Sequence, residues 1–224
     1  MEHCRRADLT EAVRSTQLLR IDGYRTTELM SASEYIKSRW NVDGHEWESR
    51  RGADVTFVVD SGKRFPAHKT ILAARSPVFM AEFFGHMNEK GSQSVRIQDM
   101  EAAVFKAMLH FIYTDMVPEL DEEPGAAAMA QHLLAAADRY GLDRLKLICE
   151  GKLSGGIDVD TAATTLALAE QHNCSLLKAK CVDFIAGSPE TLGAVLATDG
   201  YRHLVESCPL VLAELLRAAR ERRN

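Results

Sequence analysis

The chain has 224 residues, of which 46% are hydrophobic and 26% are charged, and its formal net charge is −5. This hydrophobic fraction is enough for a buried core in one large domain or two small ones. The acidic balance argues against general nucleic-acid binding, so we predict no nucleic-acid partner; the arginines near the C-terminus fit a solvated helix end.

The five cysteines are widely spaced and form no C-x-x-C pair, so the sequence contains neither a zinc-ribbon nor a redox motif. We expect reduced thiols inside the cell. The N-terminus has no apolar signal region, and no window holds the roughly 18 apolar residues that cross a bilayer. The sequence therefore predicts no membrane partner, no cofactor, no metal, and a location in the nucleus or the cytoplasm.

The N-terminal stretch has two parts. Residues 1–15 are polar, and residues 16–50 contain short apolar stretches around two Asp-Gly pairs, which predicts two or three short strands. So few strands are marginally stable in water unless they pack on other structure. We expect residues 1–50 to be a flexible N-terminus followed by part of a sheet.

A β-hairpin is predicted next. Val55, Phe57 and Val59 occupy alternate positions and are followed by turn-forming residues 60–63. Pro66 ends the second strand or places it at a sheet edge.

Helices follow the hairpin. One is expected over residues 68–75, and Ser76-Pro77 predicts an N-cap and first residue of a second helix that stops at Gly85. After a short strand, "SVRIQD", Asp99 is expected to cap a third helix. Beyond the acidic loop "PELDEEPG" the pattern is wholly helical, and the Ser-Gly-Gly at 154–156 indicates a boundary. Further helices are expected to begin near these residues: Asp160, Ser175, Ser188 and Pro209.

No catalytic motif is present. The eight histidines form no H-E-x-x-H, and the chain has no G-x-S-x-G, dinucleotide-binding or Walker sequence. The acidic loop is typical of a solvated charge run rather than a metal site. We predict no catalytic residue and no enzymatic activity.

The stretch "ADVTFVVDSGKRFPAHKTILAARSPVFMAEF", followed by "VRIQDMEAAVFKAMLHFIYTD" and "LLAAADRYGLDRLKLICE", resembles a BTB/POZ domain, especially that of the plant MATH–BTB proteins. The resemblance implies an α+β class, with a small sheet flanked by helices over residues 51–153. Residues 154–224 are similar to the family's short BACK-like helical extension. The segment within residues 1–50 resembles the opening strands of a MATH domain, so the substrate-capture domain is expected to be incomplete.

The resemblance implies a self-associating adaptor of cullin-three RING ubiquitin ligases, with a cullin scaffold and possible protein substrates as partners. It places Asp54 and Lys69 as opposite charges at the dimer interface and Ile71 as an apolar contact there. The alternative is a solvated Lys69 and an Ile71 in the core.

The cullin-facing site is implied at Met87 and Glu89, within an apolar-x-Glu triplet, and at Tyr113. The alternative for Tyr113 is a core tyrosine. Two other functions stay open. The chain is a homodimeric or heterodimeric partner that modulates full-length MATH–BTB adaptors, or it is a BTB transcriptional co-regulator.

Overall fold

The computed structural model describes residues 52–85, 93–121 and 124–221, so the strands predicted within residues 16–50 lie outside the described part. The described residues divide into two compact units. The first unit extends to Glu119 and includes Arg139–Leu142, and the second comprises Leu120–Asp138 and the residues from Asp143 onward.

A three-stranded sheet organises the first unit. Strands β1 (Val55–Val59), β2 (Arg64–Ala67) and β3 (Ser94–Ile97) lie in the order β2-β1-β3. β1 pairs antiparallel with β2 and parallel with β3. The predicted hairpin is confirmed, and Gly62 makes its turn with a φ of 78°. Pro66 lies in β2 at the edge of this sheet, one of the two places predicted for it.

Three helices complete the first unit: α1 (Lys69–Arg75), α2 (Pro77–Phe84) and α3 (Ala102–Thr114). The start of α2 is capped by Ser76, whose Oγ accepts a hydrogen bond from the Phe79 backbone N–H at 3.2 Å. The predicted Ser-Pro helix start is therefore confirmed.

The predicted cap of α3 was wrong. α3 begins after Glu101, and Asp99 has a left-handed backbone with a φ of 57°. Its N–H donates instead to the Asp60 carboxylate at 3.0 Å. Asp99 thus stabilises the turn before the helix, a conformation that aspartate tolerates better than most residues.

Aromatic rings fill the core of the first unit. Phe57, Phe79 and Phe105 are fully buried. The ring centroids of Phe57 and Phe105 are 5.1 Å apart, and those of Phe79 and Tyr140 are 4.7 Å apart. The alternation that predicted β1 therefore turns one face of the strand toward helices α2 and α3.

The remaining elements are helical. After a 3-10 turn at Pro118–Leu120, the helices are α4 (Ala126–Tyr140), α5 (Asp143–Gly155), α6 (Ala162–Gln171), α7 (Ser175–Ile185), α8 (Pro189–Leu196), α9 (Asp199–Ser207) and α10 (Pro209–Glu221). The predicted α+β class is confirmed. The predicted domain boundary between residues 153 and 154 falls in the last turn of α5 and stays a prediction.

In the second unit α7 packs on α5, α6 and α10. Ser188 caps α8 as predicted, by accepting the Thr191 N–H at 3.1 Å. The helix expected to begin near Asp160 is present as α6, with Thr161 as its N-cap residue. The carboxylate of Asp158 accepts the Thr161 N–H at 2.8 Å, and α6 begins at residue 162. Helix α9 was not predicted at all.

Candidate interaction sites

Two side chains from distant parts of the first unit hold the start of α1. The carboxylate of Asp54, just before β1, accepts the Lys69 backbone N–H at 2.8 Å. The Tyr113 hydroxyl, from α3, accepts the backbone N–H of His68 at 3.0 Å. His68 is the N-cap residue and its own side chain makes no capping bond. The α1 start is therefore satisfied by remote acceptors.

Tyr113 and His68 also meet through their side chains. The Tyr113 oxygen lies 2.9 Å from His68 Nδ1, and the two rings meet edge to face. Tyr113 is 2% exposed. Burial raises the pKa of its hydroxyl above the ordinary value, with the His68 N–H lowering that pKa and the Asp54 charge raising it. The hydroxyl is thus a neutral, buried hydrogen-bonding group.

This position of Tyr113 agrees with the core alternative. A tyrosine so deeply buried offers little surface to another protein. Its predicted contact with a cullin is not tested by the structure of one chain and stays a prediction.

The other predicted interface residues lie on or beside α1. Asp54 is exposed and Lys69 is half-buried, with the Lys69 ammonium 5.6 Å from the centre of the Phe83 ring. Ile71 is 5% exposed and belongs to the core of its own chain. The structure therefore brings Asp54 and Lys69 together through a backbone hydrogen bond within one chain. Their roles in a dimer stay predictions.

Met87 and Glu89 lie outside the described residues. The described chain leads up to them through α2, which ends at Gly85, where the Gly85 N–H donates to the Ala81 carbonyl at 2.9 Å. A methyl group added at Gly85 would lie 2.2 Å from that carbonyl oxygen. Only glycine fits this helix end without rearrangement, as the sequence predicted.

An open groove of about 540 Å³ runs along α1 and α2 and was missed from the sequence. Its lining residues are Ala73, Ala74, Arg75, Ser76, Pro77, Met80, Ala81, Phe84 and Gly85. The sequence feature that could have indicated the groove is the set of alanines on the two consecutive helices, because small side chains leave space between packed helices.

A buried ion pair beside this groove was also missed. The Arg75 guanidinium contacts the Asp115 carboxylate, and both side chains are mostly buried. Arg75 also lies 5.8 Å from the centre of the Phe111 ring. Asp115 ends α3 with a left-handed φ of 60°. The ion pair links the C-terminal ends of α1 and α3, 40 residues apart in sequence.

The second unit contains two networks of charged side chains. Asp138 accepts hydrogen bonds from Lys146 at 2.6 Å and from His172 at 3.0 Å. Lys178 contacts both Glu170, at 2.7 Å, and Glu214, at 2.9 Å. Each network joins two consecutive helices to a third helix more distant in sequence, so the contacts favour structural roles.

The described cysteines are buried thiols: Cys149, Cys174, Cys181 and Cys208. Burial raises the pKa of Cys174 to about 11 and that of Cys149 to about 12. Thiols with such pKa values are poor nucleophiles near neutral pH. Across residues 52–85, 93–121 and 124–221, no three His, Cys, Asp or Glu side chains are placed to share a metal ion. Among the same residues no helix is both long and apolar enough to cross a bilayer.

Comparison with known proteins finds two domain families along the chain. The BTB/POZ domain family matches residues 45–157, which is half of the chain, and the BPM/SPOP BACK domain family matches residues 161–216. The chain is 51% identical over 175 residues to the Arabidopsis thaliana "BTB/POZ and MATH domain-containing protein 3", covering 75% of this chain and 42% of that protein. It is 43% identical over 180 residues to the Arabidopsis "BTB/POZ and MATH domain-containing protein 4", covering 76% of this chain and 38% of that protein.

The chain thus spans about two-fifths of the length of these relatives. Among solved structures, the "BTB domain of zebrafish PATZ1" is similar over 58% of this chain and 100% of that chain, with 21% identity and a TM-score of 0.44. The predicted family is confirmed by the two domain families matched in order. The chain belongs to the BTB/POZ family and carries, after its BTB/POZ domain, a BACK domain of the BPM/SPOP type.

Proposed function

We propose that this chain is a non-enzymatic adaptor or scaffold of a cullin-three RING ubiquitin ligase in the nucleus or the cytoplasm. The observation that carries the proposal is the consecutive match to a BTB/POZ domain and a BPM/SPOP BACK domain. The buried thiols, with their raised pKa values, support a scaffold over a thiol enzyme. The BTB/POZ domain binds the cullin, and the same domain pairs with a second copy.

The cullin contact is assigned to Met87 and Glu89. An apolar side chain followed by a carboxylate suits a helical partner, because the first fills a pocket and the second accepts charge-assisted hydrogen bonds. Their position directly after α2 supports the assignment. Helix α2 has a defined start at Ser76 and a defined end at Gly85, and Met87 and Glu89 follow it in the sequence.

The test is binding of the purified chain to an isolated cullin N-terminal domain, measured by calorimetry. The double variant Met87→Asp, Glu89→Lys is expected to weaken binding more than 100-fold, on the order of 3 kcal/mol for two interface anchors. The matched control is Leu210→Asp with Glu206→Lys, which makes the same chemical changes on exposed side chains of the second unit. The control should bind like the parent.

Equal binding by the parent and the Met87/Glu89 variant would remove the assigned site. Failure of the parent itself to bind would remove the adaptor function. Circular dichroism of each variant separates a lost contact from a lost fold.

Self-association is assigned to the face around Asp54, Lys69 and Ile71. Lys69→Glu places a like charge beside Asp54 and is expected to raise the dimer dissociation constant at least tenfold, on the order of 1.4 kcal/mol. Lys63→Glu is the matched control, because Lys63 lies exposed in the hairpin turn. Sedimentation equilibrium measures both. A parent that stays monomeric at high concentration would refute this part of the proposal.

A further inference from the structure

The start of α1 depends on acceptors that the helix does not contain. Helix α1 has seven residues, and its N-cap side chain makes no capping hydrogen bond. A helix this short is only marginally stable by itself, because the conformational entropy lost in forming the first turn exceeds the free energy gained from its few hydrogen bonds. Two of its first backbone N–H groups, those of His68 and Lys69, donate to Tyr113 and Asp54.

Tyr113 makes the more deeply buried of these two contacts. Its hydroxyl is 3.0 Å from the His68 backbone nitrogen and 2.9 Å from the His68 imidazole. The oxygen can accept the backbone N–H while the hydroxyl proton is offered to an unprotonated Nδ1. One phenol therefore fixes both the backbone and the side chain of the residue that opens α1.

The first turn of α1 carries the residues assigned to self-association. Lys69 follows His68 directly, and Ile71 lies two residues later in the same turn. Whatever fixes His68 therefore also fixes the direction in which α1 presents the half-buried Lys69 side chain, while Ile71 anchors the same turn in the core of its own chain. The hydrogen bond between His68 and Tyr113 joins residues 45 positions apart in sequence.

We propose that Tyr113 is a positioning residue for self-association: its hydroxyl sets the start of α1 and thereby the face that meets a second copy. This inference rests on the proposed self-association, and it gives Tyr113 a role other than a cullin contact. Asp54 has a double role in the same arrangement, as a cap of α1 and as a charge on the face itself.

The test is Tyr113→Phe, which removes the hydroxyl and keeps the ring. The matched control is Thr114→Val in the same turn of α3, which removes a buried hydroxyl that donates to the His110 carbonyl at 2.7 Å. Tyr113→Phe is expected to raise the dimer dissociation constant about five- to tenfold, the scale of one hydrogen bond. Thr114→Val should change that constant less than about twofold, because the Thr114 hydroxyl bonds the backbone of His110 and Met116 at the C-terminal end of α3, away from the start of α1.

Two further measurements make the test specific. Amide hydrogen exchange at His68 and Lys69 should accelerate in Tyr113→Phe and stay at the parent rate in Thr114→Val. Cullin binding, measured at concentrations where both variants are dimeric, should equal that of the parent.

The outcomes are distinct. A dimeric parent whose dissociation constant is unchanged by Tyr113→Phe overturns the positioning role alone. Equal weakening by both variants assigns the effect to general stability and also overturns it. Loss of cullin binding with normal dimerisation makes Tyr113 a cullin contact instead. A monomeric parent removes the proposed self-association and this inference with it.

Discussion

The two units of the chain are stabilised in different ways. The first unit surrounds a cluster of phenylalanine rings, in which Phe57 contacts Phe79, Phe83 and Phe105. The core of the second unit is aliphatic, with leucines such as Leu145 and Leu166 buried together with alanines such as Ala163 and thiols such as Cys181. Clustered aromatic rings therefore distinguish the core of the first unit from the aliphatic core of the second.

Polar contacts show the same contrast. In the first unit the mostly buried Arg75–Asp115 pair and the Tyr113–His68 contact connect segments 40 or more residues apart. In the second unit Lys178 joins two carboxylates at the surface. Removing one buried charge leaves its partner buried without a counter-charge, whereas an exposed charge that loses its partner is solvated by water. We expect single substitutions to be more damaging in the first unit.

The largest difference is expected between the two kinds of core. Phe57→Ala should lower the free energy of unfolding by about 4 kcal/mol, because it removes a fully buried ring from the centre of the cluster. Cys181→Ala, at an equally buried position of the second unit, should cost about 1 kcal/mol because far less volume is lost. Urea denaturation followed by circular dichroism measures both. Similar losses of unfolding free energy in the two variants would contradict the proposed difference between the two cores.

Charged contacts give the next largest difference. Arg75→Met is expected to cost about 2–3 kcal/mol, since Asp115 is left mostly buried without its partner. Lys178→Met should cost less than about 1 kcal/mol, because Glu170 and Glu214 remain partly exposed to water. Thermal unfolding at low and high salt compares them. A strong salt dependence of the Arg75 effect would contradict the burial of this pair.

These contacts also show which parts of the structure could be predicted. The hairpin and the Ser76-Pro77 helix start depend on neighbouring residues, whose alternation and turn chemistry are visible in the sequence. The helix starts near Asp99 and Asp160 both have other acidic residues nearby, and at Asp99 the predicted cap was wrong. Which carboxylate caps a helix depends on backbone angles that the residue types leave undecided.

Contacts between residues distant in sequence could not be predicted, for a different reason. Arg75 and Asp115 meet only because α1 and α3 pack together, and nothing near either residue indicates the other. The resemblance to BTB domains predicted Tyr113 as a cullin contact, which stays a prediction, and a family motif does not report that the side chain is buried. The hydroxyl's partner, His68, became visible only in the folded chain.

A smaller effect tests how tightly the first unit is packed. Gly141 has a φ of +63°, and a methyl group there would lie 2.7 Å from Pro77 Cγ. Gly141→Ala is expected to cost about 1.5–2 kcal/mol, from backbone strain and the clash together. Gly62→Ala meets no neighbouring atom within 4 Å at a similar φ of +78°, so it should cost about 1 kcal/mol from strain alone. Equal losses would mean that Pro77 moves aside freely.

The smallest expected effect concerns a charged network of the second unit. Burial tends to raise the pKa of Asp138, but hydrogen bonds from Lys146 and His172 outweigh it and hold that pKa below its usual value. Asp138→Asn removes this contribution. Because the carboxyl side chain is 36% exposed, the expected loss at pH 7 is only about 0.5 kcal/mol.

The pH dependence of that loss has a definite sign. A carboxyl group whose pKa is lower in the folded than in the unfolded chain stabilises the fold above its unfolded pKa, near 3.9. The stabilisation disappears as the pH falls through the lower, folded pKa. Parent and Asp138→Asn should therefore differ at pH 7 and converge in acid, whereas Asp160→Asn, an exposed control, should track the parent throughout. Urea midpoints between pH 3 and pH 7 supply the comparison, and a gap that widened toward acid would show that Asp138 is stabilised in its protonated form.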